Sequence, residues 1–140
     1  MRAAFAAMTV LAAGALSGAG VAVAQPAPSA GELQSDLQQV LDTGAPASER
    51  AAKLAGGDTA VSTADNIANR LNTYGGMVNW QVQNPVLNGD QVDAQLAVTI
   101  PIFGTKTHSL YWVNQDGAWK LSNSSACVIA TDVAGVDCTV

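Results

Sequence analysis

The hydrophobic period of this chain changes once, at Gly75-Gly76, and no other sequence feature restricts its fold as strongly. Before that point apolar residues recur at helical spacing. Ser29 followed by Glu32 has the form of a capping box, and Leu33, Leu37, Val40 and Leu41 form one stripe through to Asp42. Gly44 breaks the stripe, Pro46 suits a first helical position, and Ala47 to Leu54 reads as a second short helix stopped by Gly56-Gly57. Ser62 with Asp65 offers a further N-cap, and Ile67 and Leu71 mark the inner face of a third helix ending before Gly75-Gly76.

From Met77 onward the period is 2. Val78, Trp80 and Val82 alternate with polar partners in a half-buried strand that Asn84-Pro85 interrupts. After the turn signal Asn88-Gly89-Asp90, the residues Val92, Ala94, Leu96, Val98 and Ile100 share one face of a second strand. Pro101 to Gly104 is a connection, His108, Leu110 and Trp112 alternate in a third strand, and Asp116-Gly117 turns the chain into a fourth that carries Trp119 and Leu121. Helices first and an antiparallel sheet of about four strands afterwards predict an α+β domain with its helices on one face of the sheet. The pattern leaves open whether the tail from Ser122 continues as strand or turns helical.

The first two dozen residues belong to a different category. Met1-Arg2 supplies a positive start, Ala3 to Val23 carries no charge, and Ala22-Val23-Ala24 fits a small-residue cleavage site. A membrane anchor is the competing account, but the run is rich in Ala and Gly and no basic stop-transfer signal follows. The expected organisation is a signal peptide at 1–24, a short Pro-rich leader at 25–28 and one domain at 29–140, secreted and without an integral membrane anchor after cleavage. Beyond residue 24 five Lys and Arg face eleven Asp and Glu, a net charge of −6, and the cations are scattered. Such a chain repels phosphate backbones, so nucleic acid is not an expected partner.

Cys127 and Cys138 are the only cysteines. Export removes the chain from the reducing cytosol, so an even count favours one disulfide that clips the C-terminal tail. A catalytic dithiol normally has two intervening residues, and a zinc site needs more ligands than two cysteines and one histidine supply. Neither a metal nor a cofactor is expected.

Three segments resemble the low-molecular-weight secreted antigens of mycobacteria and related actinobacteria. They are the opening helix from Ser29 to Leu37, the segment Lys53-Leu54-Ala55-Gly56-Gly57, and the hairpin from Trp112 to Ser122, which is the most specific. The resemblance implies a cone-shaped α+β fold similar to the cystatin-like and nuclear-transport-factor-like group, with helices wrapping one face of a curved sheet. It also implies export from an actinobacterial cell and recognition as an antigen in pathogenic relatives. It carries over no catalytic residue.

Within such a cone, Trp80, His108, Leu110, Trp112 and Trp119 are the candidate pocket-lining residues, with Tyr74, Phe103 and Tyr111 as the other large rings. Core filling is the competing role for each ring in a domain so rich in alanine. His108, the only histidine, could act as a base with Asp93 or Asp90, although nothing in the sequence places a carboxylate beside it. The leading expectation is a non-enzymatic secreted protein that binds a small apolar ligand or a cell-envelope protein in the cone. An enzyme using His108 on a small hydrophobic substrate and a protein-protein interaction module are the alternatives.

Overall fold

The computed structural model describes residues 27–140; the expected signal peptide and the first two leader residues lie outside the described residues. Helix α1 (Ala30–Val40) opens with the capping box that its sequence suggests. The Glu32 backbone N–H donates to Ser29 Oγ at 3.1 Å, and the Ser29 N–H donates to Glu32 Oε1 at 2.8 Å. Its stripe of Leu33, Leu37 and Val40 is buried. Helix α2 (Ala47–Ala51) is shorter than its sequence predicts because the chain turns at once to pair with the sheet. Helix α3 (Asp58–Thr73) begins four residues earlier than the Ser62 signal. Gly57, at φ 59°, redirects the backbone, and Asp58 then places a carboxylate beside the positive end of the helix.

Four antiparallel strands follow as a meander in the order β1-β2-β3-β4: β1 (Asn79–Asn88), β2 (Gln91–Ile100), β3 (Gly104–Gln115) and β4 (Ala118–Leu121). Asn84-Pro85 does not end β1 as expected. Register passes from Gln83 opposite Gln95 to Val86 opposite Asp93, so the two residues form a bulge facing Ala94. Asn84 accepts a φ of 54° more readily than most side chains, and a bulge is one of the few interior positions where a proline forfeits no ladder bond. Asp116 and Gly117 both take positive φ, as a two-residue hairpin turn requires.

One face of the sheet carries the core. Val82 lies opposite Leu96, Ala94 opposite Leu110, and Val92 opposite Trp112, which in turn lies opposite Leu121, and all seven are buried. The helices cover this face. The tail turns helical as α4 (Asn123–Val128) and continues as a π-helical segment, Ile129–Ala134, that buries Ile129, Ala130 and Ala134. The expected disulfide joins Cys127 to Cys138, with the two Cα atoms 5.2 Å apart. Beside it the Thr63 hydroxyl, from α3, donates to the Thr139 carbonyl at 2.7 Å and accepts from the Thr139 N–H at 3.1 Å.

Both edges of the sheet are occupied. On the β1 side the Gln34 amide imitates a peptide: its Nε2 donates to the Trp80 carbonyl at 3.2 Å, and its Oε1 accepts from the Val82 N–H at 2.7 Å. On the β4 side Leu121 donates to the Lys53 carbonyl and accepts from the Ala55 N–H, both at 2.9 Å. Open edges invite pairing with other chains, and these contacts blunt both.

Candidate functional site

Core-facing positions on β3 recur every second residue, as Trp112, Leu110, His108 and Lys106, but the helices cover only part of that row. Trp112 and Leu110 are each 1% exposed, His108 is half-buried and Lys106 is exposed. Where the cover ends, a cleft of about 450 Å³ opens between the sheet and the π-helical segment. Val98 and Ile100 of β2, His108 and Lys106 of β3, Tyr74, Met77 and Val78 of the α3–β1 connection, and Asp132 and Val133 form its walls, with Phe103 at the β2–β3 turn. That volume lies within the range of roughly 300–1,000 Å³ common for small-molecule clefts.

The rim is unusually apolar for a surface. Tyr74 is 41% exposed, Met77 57%, Phe103 79%, and the neighbouring Ile102 is fully exposed. The turn that presents Ile102 and Phe103 is closed by the Phe103 N–H donating to the Ile100 carbonyl at 3.1 Å. Pro101 holds its second position, and Ile102 takes a φ of 77° at the third, where such a turn ordinarily places glycine. A β-branched residue in the left-handed region is strained, and here its side chain meets only solvent.

Of the five residues expected to line a pocket, His108 alone lines this cleft. Leu110 and Trp112 fill the core instead, Trp119 is half-buried and packed against it, and Trp80, also half-buried, borders a separate cleft of about 510 Å³ beside Gln34 and Val82. The physical reason is the alanine content of the opposing helices: Ala60, Ala64, Ala126 and Ala130 leave volume that large side chains from the sheet must fill. Asp93 does not approach His108. It stands opposite Tyr111 on the other face of the sheet, where its carboxylate accepts from the Gln91 amide at 2.7 Å, and Asp90 is exposed in the β1–β2 turn. Among the described residues no carboxylate oxygen lies within ion-pair distance of the imidazole. Nor is any group of three or more His, Cys, Asp or Glu among them placed to hold a metal ion.

Met77, Ile100, Ile102, Lys106 and Val133 were not among the sequence candidates. The available signal was Ile102-Phe103, two large apolar residues held between Pro101 and Gly104 in a turn, where polar side chains are the rule.

These features define an α+β domain whose helices cover one face of an open four-stranded antiparallel sheet, with a disulfide-clipped tail and an apolar cleft at the uncovered end. Residues 26–138 match the family described as low molecular weight antigen MTB12, C-terminal domain, and the chain belongs to that family. No curated protein and no solved structure matched. Among the described residues no helix is long and apolar enough to cross a membrane.

Proposed function

We propose that this chain is a non-enzymatic, exported binding protein that takes a small apolar ligand into the cleft at the open end of its sheet. The observation that carries the reading is the continuity of that cleft with the exposed side chains of Tyr74, Met77 and Phe103. A contiguous apolar rim on a soluble domain loses favourable burial unless something covers it. The disulfide and the antigen family are compatible with export. The separation of His108 from Asp90 and Asp93 favours binding over acid-base chemistry.

An environment-sensitive apolar dye tests the reading. Titrated into the chain from residue 25 onward, the dye should saturate at one site with enhanced emission, and Phe103→Ser should weaken its binding several-fold without changing the far-ultraviolet circular dichroism. Absence of saturable binding to the folded protein would overturn the proposal.

A further inference from the structure

We propose that the ligand of this cleft is a single-chain amphiphile with an anionic head, the chain lying against Val78, Val98 and Ile100 and the head held at the mouth by Lys106. The inference rests on the apolar-ligand reading above and adds a charge to it. The cations of the domain are few, and two of those near the core are already committed: Arg50 lies 2.7 Å from Asp65, and Lys53 lies 2.9 Å from Asp36. Lys106 has no carboxylate partner within ion-pair distance among the described residues.

Its position is also unexpected for a solvated lysine. Lys106 stands opposite Val98, on the face of the sheet that carries the core, whereas polar residues such as Thr105 and Thr107 occupy the outer face. A lysine there can lay its methylene stem along the apolar wall and keep its ammonium in the water at the mouth. Two residues deeper on the same face, His108 offers a ring nitrogen to a head group that enters further. A monoanion is thereby drawn to one side of an otherwise apolar cleft. Asp132, on the opposite wall, accepts a hydrogen bond from the Thr131 hydroxyl at 3.1 Å. Its carboxylate opposes a head group on that side, so attraction at Lys106 and repulsion at Asp132 give the bound chain one orientation. The net charge of −6 outside the first 24 residues opposes docking of the whole domain on an anionic bilayer, which favours a monomeric amphiphile as occupant.

The test compares dodecanoate, dodecyl phosphate and dodecanol, each kept below its aggregation limit, by calorimetry or dye displacement on the wild-type protein and on Lys106→Gln. Dodecanoate should bind one per chain at least ten-fold more tightly than dodecanol. Lys106→Gln should remove most of that difference, weakening dodecanoate far more than dodecanol. Dodecyl phosphate binding as well as dodecanoate would support recognition of any anionic head; weaker binding would support a carboxylate. Equal binding of dodecanol and dodecanoate would overturn the head-group assignment and leave the apolar-ligand reading standing, whereas binding of none of the three would remove both. Binding to anionic vesicles but not to free amphiphiles would overturn the proposal in favour of a bilayer surface. A dimer dissociated by Phe103→Asp would overturn it in favour of a second copy of the chain covering the cleft.

Discussion

Arg50 and Asp65 tie the three N-terminal helices together. The Arg50 side chain, 4% exposed, projects from α2, lies 2.7 Å through Nη2 from the Asp65 carboxylate on α3, and donates through Nε to the Val40 carbonyl at the end of α1 at 2.9 Å. The Nη2 contact lies off the hydrogen-bond line, so it acts as an ion pair rather than an aligned bond. Asp65 is 42% exposed, and only the cation has been fully withdrawn from water.

That asymmetry predicts unequal effects from the two sides of the pair. Asp65→Ala leaves a buried guanidinium without its counter-charge and should lower stability by about 2–3 kcal/mol, because an uncompensated buried charge is costly. Arg50→Met removes the charge and retains most of the volume, so its effect should be smaller, on the order of 1 kcal/mol, chiefly through the lost bond to Val40. Urea denaturation of both variants measures the order, and a larger loss for Arg50→Met would show that the pair contributes net attraction.

Gln34 should matter more than a half-buried glutamine usually does. Its amide satisfies the N–H of Val82, a residue only 2% exposed, so Gln34→Leu leaves a buried donor unpaired at a cost of about 1–3 kcal/mol. The same change uncovers the β1 edge, and light scattering on warming should rise alongside the lower denaturation midpoint. Gln34→Glu keeps the acceptor for Val82 and should be the milder substitution.

The disulfide closes a short loop across α4, the π-helical segment and the tail. By the loop-entropy relation, Cys127→Ser with Cys138→Ser should reduce stability by about 3 kcal/mol. Thr63 still holds Thr139 in that variant. Hydrogen exchange should therefore report faster opening of residues 129–140 while the β2 and β3 amides stay protected until global unfolding.

Ile102 is a position where the protein is less stable than it could be. Ile102→Gly relieves a left-handed β-branched residue and removes no buried surface, since the side chain is wholly exposed. Relief of about 1–2 kcal/mol, partly offset by the added freedom of glycine in the unfolded chain, should leave a gain of roughly 0.5–1 kcal/mol in a denaturation experiment. Loss of stability instead would mean that Ile102 makes a contact in solution that compensates for its conformation.

Local chemistry was legible where it was self-contained. The capping box at Ser29 and Glu32, the Asp116-Gly117 turn and the alternation from Val92 to Ile100 need no distant partner, because neighbouring residues supply the hydrogen bonds or the face. The start of α3 was misplaced because Gly56-Gly57 reads equally well as the stop of one helix and the entry to the next. Asn84-Pro85 looked like a strand end because a bulge is visible only against the partner strand that it faces.

The order of elements as far as β4, the face of each strand that is apolar and the pairing of the two cysteines were determined by the sequence alone, since period, turn residues and an even cysteine count act locally or by elimination. How far along the sheet the helices reach was decided only in three dimensions. Trp112, Leu110, His108 and Lys106 obey one alternation in the sequence, yet the first two are core and the last two line an open cleft. Period 2 assigns a residue to a face of a sheet; whether another element covers that face depends on where the helices lie across it, which no alternation encodes.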